Sequence, residues 1–109
     1  MITKESLIKY FQDGCKTESN LQIGVEHEKF LFNSKLNKRI NFETASKVFS
    51  FLEQFGWKRL KEKNSTIGLH KKGKSITLEP GNQVELSGAP HSSIHYNCSE
   101  SYEFLDELN

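Results

Sequence analysis

The sequence predicts an α+β chain built on an antiparallel sheet with flanking helices, and three observations carry that expectation. Apolar residues recur at helical spacing in three stretches, around residues 5–12, 42–55 and 91–108. Short runs between them alternate apolar and polar residues in the manner of half-buried strands. After the middle helix these runs follow one another through turn residues, without the strand–helix alternation of a parallel sheet.

In chain order, Glu5 to Gln12 places Leu7, Ile8 and Phe11 on one helical face, with Asp13-Gly14 as the stop. Cys15 to Asn20 is polar and reads as loop. Leu21 to Phe32 reads as a strand with Ile23, Val25, His27 and Lys29 on one face. Gly24, Glu26, Glu28, Phe30 and Phe32 share the other. Asn33 to Arg39 is a polar turn region. Phe42 to Phe55 carries Ala45, Val48, Phe49, Leu52 and Phe55 as one apolar stripe, between an Asn41 N-cap and a Gly56 C-terminal stop. Trp57–Glu62 and Thr66–His70 are strands around Lys63-Asn64-Ser65, and residues 71–74 turn the chain again. Ser75–Glu79 and Gln83–Ser87 alternate on either side of Pro80-Gly81-Asn82. Val84 and Leu86 are expected in the core, with Gln83, Glu85 and Ser87 on the opposite face, joined by Glu79 if the Pro-Gly break keeps parity. His91 to Leu108 is a last helix with Ile94, Cys98, Tyr102, Leu105 and Leu108 along its apolar side.

At 109 residues the chain fits one domain at most, and its net charge of +1 gives no reason to expect nucleic acid or an anionic membrane as partner. Counting glycine, its apolar share is about 41%, below the roughly 45–50% of a self-contained domain, which leaves room for chain outside this sequence to complete the core. No stretch approaches a membrane span, and no apolar leader is visible after Met1. Cys15 and Cys98 lack CxxC spacing and read as free thiols, which gives the expectation of a cytoplasmic protein.

Glu26 and Glu28 point to the same side of one strand, ~6.6 Å apart along it, so something positive should lie between them. A divalent metal and a neighbouring lysine both meet that need. With Glu79 and Glu85 on another strand, four carboxylates suit Mg²⁺, which takes oxygen ligands and works with nucleotide phosphates. A solvated acidic face is the alternative. His91, His95 and Cys98 are a rival set for zinc, on one face if all three are helical, but no clear fourth ligand accompanies them. His27 is expected to point away from the two glutamates. Lys58, Arg59, Lys61, Lys63 and the 71–74 cluster read either as a phosphate patch or, preferably, as charges that keep hairpin edges soluble. No P-loop, GxGxxG or GxSxG signature occurs.

The blocks Gly24-Val25-Glu26-His27-Glu28-Lys29-Phe30, Gly56-Trp57, Ser75 through Pro90, and His95 with Cys98-Ser99-Glu100 together resemble the N-terminal part of the glutamate–cysteine ligase family, of the plant and proteobacterial type. The similarity runs from about Leu21 to the end. Asn82 stands where the family commonly has a second glycine, and Val84 where a bulkier residue is frequent.

The resemblance implies a glutamine-synthetase-like catalytic fold, incomplete here, with an antiparallel sheet as the floor of a funnel. Residues 1–20 are then a helix and loop, and 21–109 the N-terminal part of a catalytic domain. It implies ATP-dependent joining of glutamate's γ-carboxylate to cysteine's amino group through a γ-glutamyl phosphate, the first step of glutathione synthesis. By motif, Glu26, Glu28, Glu79 and Glu85 hold Mg²⁺ against the ATP phosphates, and Gln83 and Ser87 line the substrate pocket. Members of the family are several times longer, so the expected partner is the missing C-terminal part of the same chain, and the 109 residues alone are expected to be inactive. The alternatives are a non-catalytic Mg²⁺- or metabolite-binding module and a small zinc protein.

Overall fold

A computed structural model describes residues 1–109 as three α-helices and seven strands: α1 (Lys4–Gly14), β1 (Glu26–Lys29), β2 (Phe32–Asn33), β3 (Lys38–Arg39), α2 (Phe42–Leu52), β4 (Lys58–Glu62), β5 (Ser65–Lys71), β6 (Lys74–Leu78), β7 (Val84–Ser87) and α3 (Ile94–Leu108). Five strands form one antiparallel sheet in the order β1-β7-β6-β5-β4, and β2 and β3 make a separate hairpin. The α+β, antiparallel expectation holds.

Turn chemistry explains the connections. Lys72 and Gly73 both have positive φ between the paired Lys71 and Lys74, the backbone of a two-residue type I′ hairpin. Asn41 accepts a hydrogen bond from the Thr44 N–H at 2.9 Å and caps α2. The helical run then tightens into a 3-10 turn over Glu53–Phe55 and stops at Gly56, whose φ of 86° suits a residue without Cβ. The long strand expected over Leu21–Phe32 is divided. Ile23 forms an isolated bridge with His91, β1 covers Glu26–Lys29, and Phe32 turns back onto Arg39. Asn33 drives that reversal, because its Oδ1 accepts from the Lys35 and Leu36 N–H groups at 3.0 Å each.

Both α2 and α3 supply core residues to one face of the sheet. Leu69, Ile76 and Leu86 lie in one register row across β5, β6 and β7, and Val84 lies further along β7. They pack with Phe49, Leu52, Trp57 and Phe104 in a single buried cluster. Burial of each such side chain stabilises by about 1.5–3 kcal/mol. The helix expected from His91 begins only at Ile94, because His91 is held as strand by two backbone bonds to Ile23 (2.8 and 2.9 Å) and Ser93 supplies the cap. α1 has the expected bounds within two residues, but none of its residues is buried. Leu7, Ile8 and Phe11 stay exposed, so its apolar stripe packs on nothing within the chain.

The lysines of 71–74 are not simply hairpin solubilisers. Lys74 is only 5% exposed and its Nζ donates to Glu103 at 2.6 Å. Lys71 donates to Glu103 at 2.9 Å and to Glu107 at 2.5 Å, while the buried Trp57 Nε1–H donates to Glu107 at 2.6 Å. Hydrogen bonds from Lys74 and then Lys71 outweigh desolvation and lower the Glu103 pKa to about 2. Desolvation pulls Lys71 down, but its bonds to Glu107 and Glu103 prevail and raise it.

A depressed carboxyl stabilises fully above its unfolded value of 4.5 and loses that contribution as pH falls towards 2. A raised ammonium stabilises fully below its unfolded value of 10.5 and loses it as pH climbs through the higher folded value. Thermal melts of the chain should therefore fall between pH 4.5 and 2. Glu103→Gln should fall less steeply there, and parallel curves would show that Glu103 contributes nothing.

Candidate metal centre

The helices occupy one side of the sheet, and the acidic residues stand on the other. The Gly88 N–H donates to the Val25 carbonyl at 2.8 Å, which sets the alternation between β1 and β7. His27/Leu86 and Lys29/Val84 are then the hydrogen-bonded pairs, leaving Glu26/Ser87 and Glu28/Glu85 as the closer, non-hydrogen-bonded ones. Glu28 thus directly opposes Glu85, which has Thr77 on its other flank. Parity survives the Pro80-Gly81 break: Leu78 pairs with Val84, and the Glu79 N–H donates to the Gln83 carbonyl at 2.9 Å. Asn82 takes a positive φ of 62° there, a conformation that asparagine tolerates better than most residues and that explains why it can stand in for glycine.

One carboxylate oxygen each from Glu28, Glu79 and Glu85 lie within 4.8 Å of one another. The Glu28 pKa is raised, first by desolvation, then by its hydrogen bond with and repulsion from Glu85, and by the charges of Glu79 and Glu26. Hydroxyls brace two of the three, Ser87 donating to Glu85 at 3.0 Å and Thr77 to Glu79 at 3.3 Å. Glu26 lies two register pairs away on the same face, opposite Ser87 and outside the three-carboxylate group. None of these glutamates is ion-paired with a lysine or arginine. A hard cation with oxygen ligands fits this donor set, and the open face leaves room for phosphates and water to complete its shell.

Gln83 sits opposite Glu79 with its side-chain Oε1 buried and without a hydrogen-bond partner. Sequence reasoning missed Arg39, which donates to the Gly81 carbonyl and lies 4.7 Å over the Phe30 ring. Nothing in a polar turn marked it, because only the β2–β3 hairpin brings it to the Pro-Gly loop. Two motif residues prove structural. A Cβ on Gly88 would lie 2.8 Å from the Val25 carbonyl oxygen and would also meet Glu100. Glu100 in turn accepts from the Ala89 N–H at 3.0 Å and contacts His91 Nε2 at 3.3 Å. His91 is thereby engaged outside the helix, and His91, His95 and Cys98 do not converge, so the zinc alternative is set aside. His27 lies on the helix side of the sheet, away from the glutamates. Arg59 is paired with Glu53 at 2.8 Å, so with Lys71 and Lys74 it is no free phosphate ligand.

The fold and site define a sheet that carries carboxylates suited to a hard cation. Residues 22–109 match the family described as glutamate-cysteine ligase family 2 (GCS2), and this chain belongs to it. It is 43% identical over 108 residues to glutamate–cysteine ligase A, chloroplastic, of Oryza sativa subsp. japonica, covering 98% of this chain and 22% of that protein. Identity is 42% with the chloroplastic glutamate–cysteine ligase of Medicago truncatula and 40% with that of Arabidopsis thaliana, each covered to 21%. The chain therefore spans about a fifth of the length of these relatives. Their names overturn the expectation of a cytoplasmic protein, since they are chloroplastic enzymes and point to a plastid. Two free cysteines fit any reducing compartment, of which the cytoplasm is only one.

Proposed function

We propose that this chain supplies the Mg²⁺–ATP platform of a glutamate–cysteine ligase, acting as the N-terminal portion of a longer enzyme. The observation that carries this reading is the convergence of Glu28, Glu79 and Glu85 within 4.8 Å on the open sheet face of a chain of this family. The sheet is read as part of a glutamine-synthetase-like catalytic fold, with residues 1–20 preceding it and 21–109 contributing its first part.

The reaction is ligation of the glutamate γ-carboxylate to the amino group of cysteine. A carboxylate does not react with an amine, so it first takes the γ-phosphoryl group of ATP, giving an acyl phosphate and ADP. The amine then attacks the acyl carbon and expels phosphate. Mg²⁺, when bound, neutralises charge on the phosphates during transfer. Glu28, Glu79 and Glu85 would hold it, with Glu26 adding negative potential two pairs along on the same face. Ser87 and Thr77 keep the carboxylates of Glu85 and Glu79 oriented. Gln83, whose Oε1 has no partner, is suited to accept a hydrogen bond from a substrate ammonium group.

The test is a chimaera in which this chain replaces the matching portion of the rice ligase A. Release of ADP that requires glutamate and cysteine together supports the reading. A folded chimaera that binds Mg²⁺ without turnover would instead favour a non-catalytic binding module.

A further inference from the structure

The three carboxylates of the site are not equally anchored. Glu28 lies within β1 and Glu85 within β7, and the ladder between those strands fixes both. Glu79 lies one residue beyond the end of β6. Two backbone hydrogen bonds of the turn hold it there. Its N–H donates to the Gln83 carbonyl at 2.9 Å, and its carbonyl accepts from the Asn82 N–H at 2.8 Å. A turn with a glycine at its centre has conformational freedom that such bonds alone restrain weakly.

The further restraint comes from the β2–β3 hairpin. Arg39 donates through Nη2 to the Gly81 carbonyl, and Asn82 donates through Nδ2 to the Ile40 carbonyl at 3.4 Å. The hairpin is tied in turn to the segment that follows Glu28. The Ile40 N–H donates to the Leu31 carbonyl at 3.1 Å, and the Arg39 guanidinium lies 4.7 Å over the ring of Phe30, two residues after Glu28. Space at Gly81 is matched to this contact. A Cβ there would lie 2.9 Å from Arg39 Nη2 and would also collide with the Gln83 side-chain amide. Arginine suits the place, because its planar guanidinium stacks on a ring while its N–H groups donate in the plane. Arg39 is paired with no carboxylate, so an ion pair does not account for its position.

We propose that Arg39 is a positioning residue of the cation site: it bolts the segment after Glu28 to the Pro80-Gly81 turn and so holds Glu79 beside Glu28 and Glu85. This rests on the reading of those three carboxylates as the Mg²⁺ platform. Arg39 touches neither the cation nor a substrate and acts through Glu79. Its charge works the other way, since a positive group near the site repels a cation. The sign of its effect on affinity therefore separates positioning from electrostatics.

Mn²⁺ titration of the chain and its variants tests this. Arg39 is exposed, so Arg39→Ala should melt close to the parent. It should bind Mn²⁺ at least ~10-fold more weakly, the scale for losing a group that orients a metal ligand. Unchanged or tighter binding would overturn the proposal. In a Glu79→Gln background the same change should cost less than ~2-fold, because the ligand it positions is gone. An undiminished loss there would show that Arg39 does not act through Glu79. If the alanine variant does not fold, Arg39→Met keeps the stem over Phe30 and removes the donors, and the same outcomes apply to it. Amide exchange supplies a reading without metal. The Glu79 and Asn82 amides should exchange at least ~10-fold faster in Arg39→Ala than in the parent, and equal rates would overturn the proposal. The two readings fail separately. A parent chain that binds no Mn²⁺ would refute the cation platform, and the exchange rates would still decide whether Arg39 holds Glu79 in place.

Discussion

Glu85→Gln in the chimaera is expected to lower glutamate- and cysteine-dependent ADP release by about 10²-fold or more, the scale seen when one preorganised electrostatic contact to a developing charge is removed. Glu85 stands at the centre of the site, opposite Glu28 on one side, beside Thr77 on the other, and braced by Ser87 at 3.0 Å. The isosteric amide keeps the shape and removes the charge. Without metal the same substitution relieves repulsion from Glu28, so the melting midpoint in Mg²⁺-free buffer should hold or rise. Lost turnover with retained stability separates a site residue from a structural one. Glu26→Gln should cost less than Glu85→Gln, because Glu26 lies outside the three-carboxylate group. Equal turnover by Glu85→Gln and the parent would remove this residue from the site.

Glu107→Ala should be the most damaging change to a charged residue. Its carboxylate accepts from Lys71 at 2.5 Å and from the buried Trp57 indole at 2.6 Å. The alanine leaves the indole N–H without a partner in the core and Lys71 with Glu103 alone. Breaking a buried pair by removing one partner costs 3–5 kcal/mol, and the remaining Glu103 contact places this case near the low end, about 3 kcal/mol. A domain with a typical stability of roughly 5–15 kcal/mol would lose much of its margin. Urea denaturation would show this as a lower midpoint at unchanged slope. A loss below about 1 kcal/mol would place the network with ordinary surface pairs.

Much of the site was legible because strand periodicity is strict. Once Val84 and Leu86 face the core, Glu85 and Ser87 must face the other way, and the structure keeps them there. Glu79 joined Glu85 because the Pro-Gly turn preserves parity, which depends on its hydrogen bonds and not on local composition, and Glu28 joined because the β1–β7 register sets it opposite Glu85. The partition of the four glutamates into a group of three and a neighbour was not legible, since register between distant strands is set by pairing.

Other elements were hidden for the same reason. Lys74 reads as a hairpin charge until α3 brings Glu103 against it from 29 positions away. His91 has helical spacing to His95 and Cys98, yet its backbone bonds to Ile23 hold it in a strand bridge. α1 was recognisable from Leu7, Ile8 and Phe11, but local periodicity says only that a face is apolar and not whether anything covers it.

Mn²⁺ titration followed by NMR shows whether Glu28, Glu79 and Glu85 form a cation site. Mn²⁺ accepts the same oxygen donors as Mg²⁺, and its unpaired electrons broaden signals from nearby nuclei. At low Mn²⁺, broadening should centre on residues 28, 79 and 85, reverse with excess Mg²⁺ and disappear in Glu28→Gln/Glu85→Gln. Broadening centred elsewhere, or unchanged in that double variant, would contradict a cation site there.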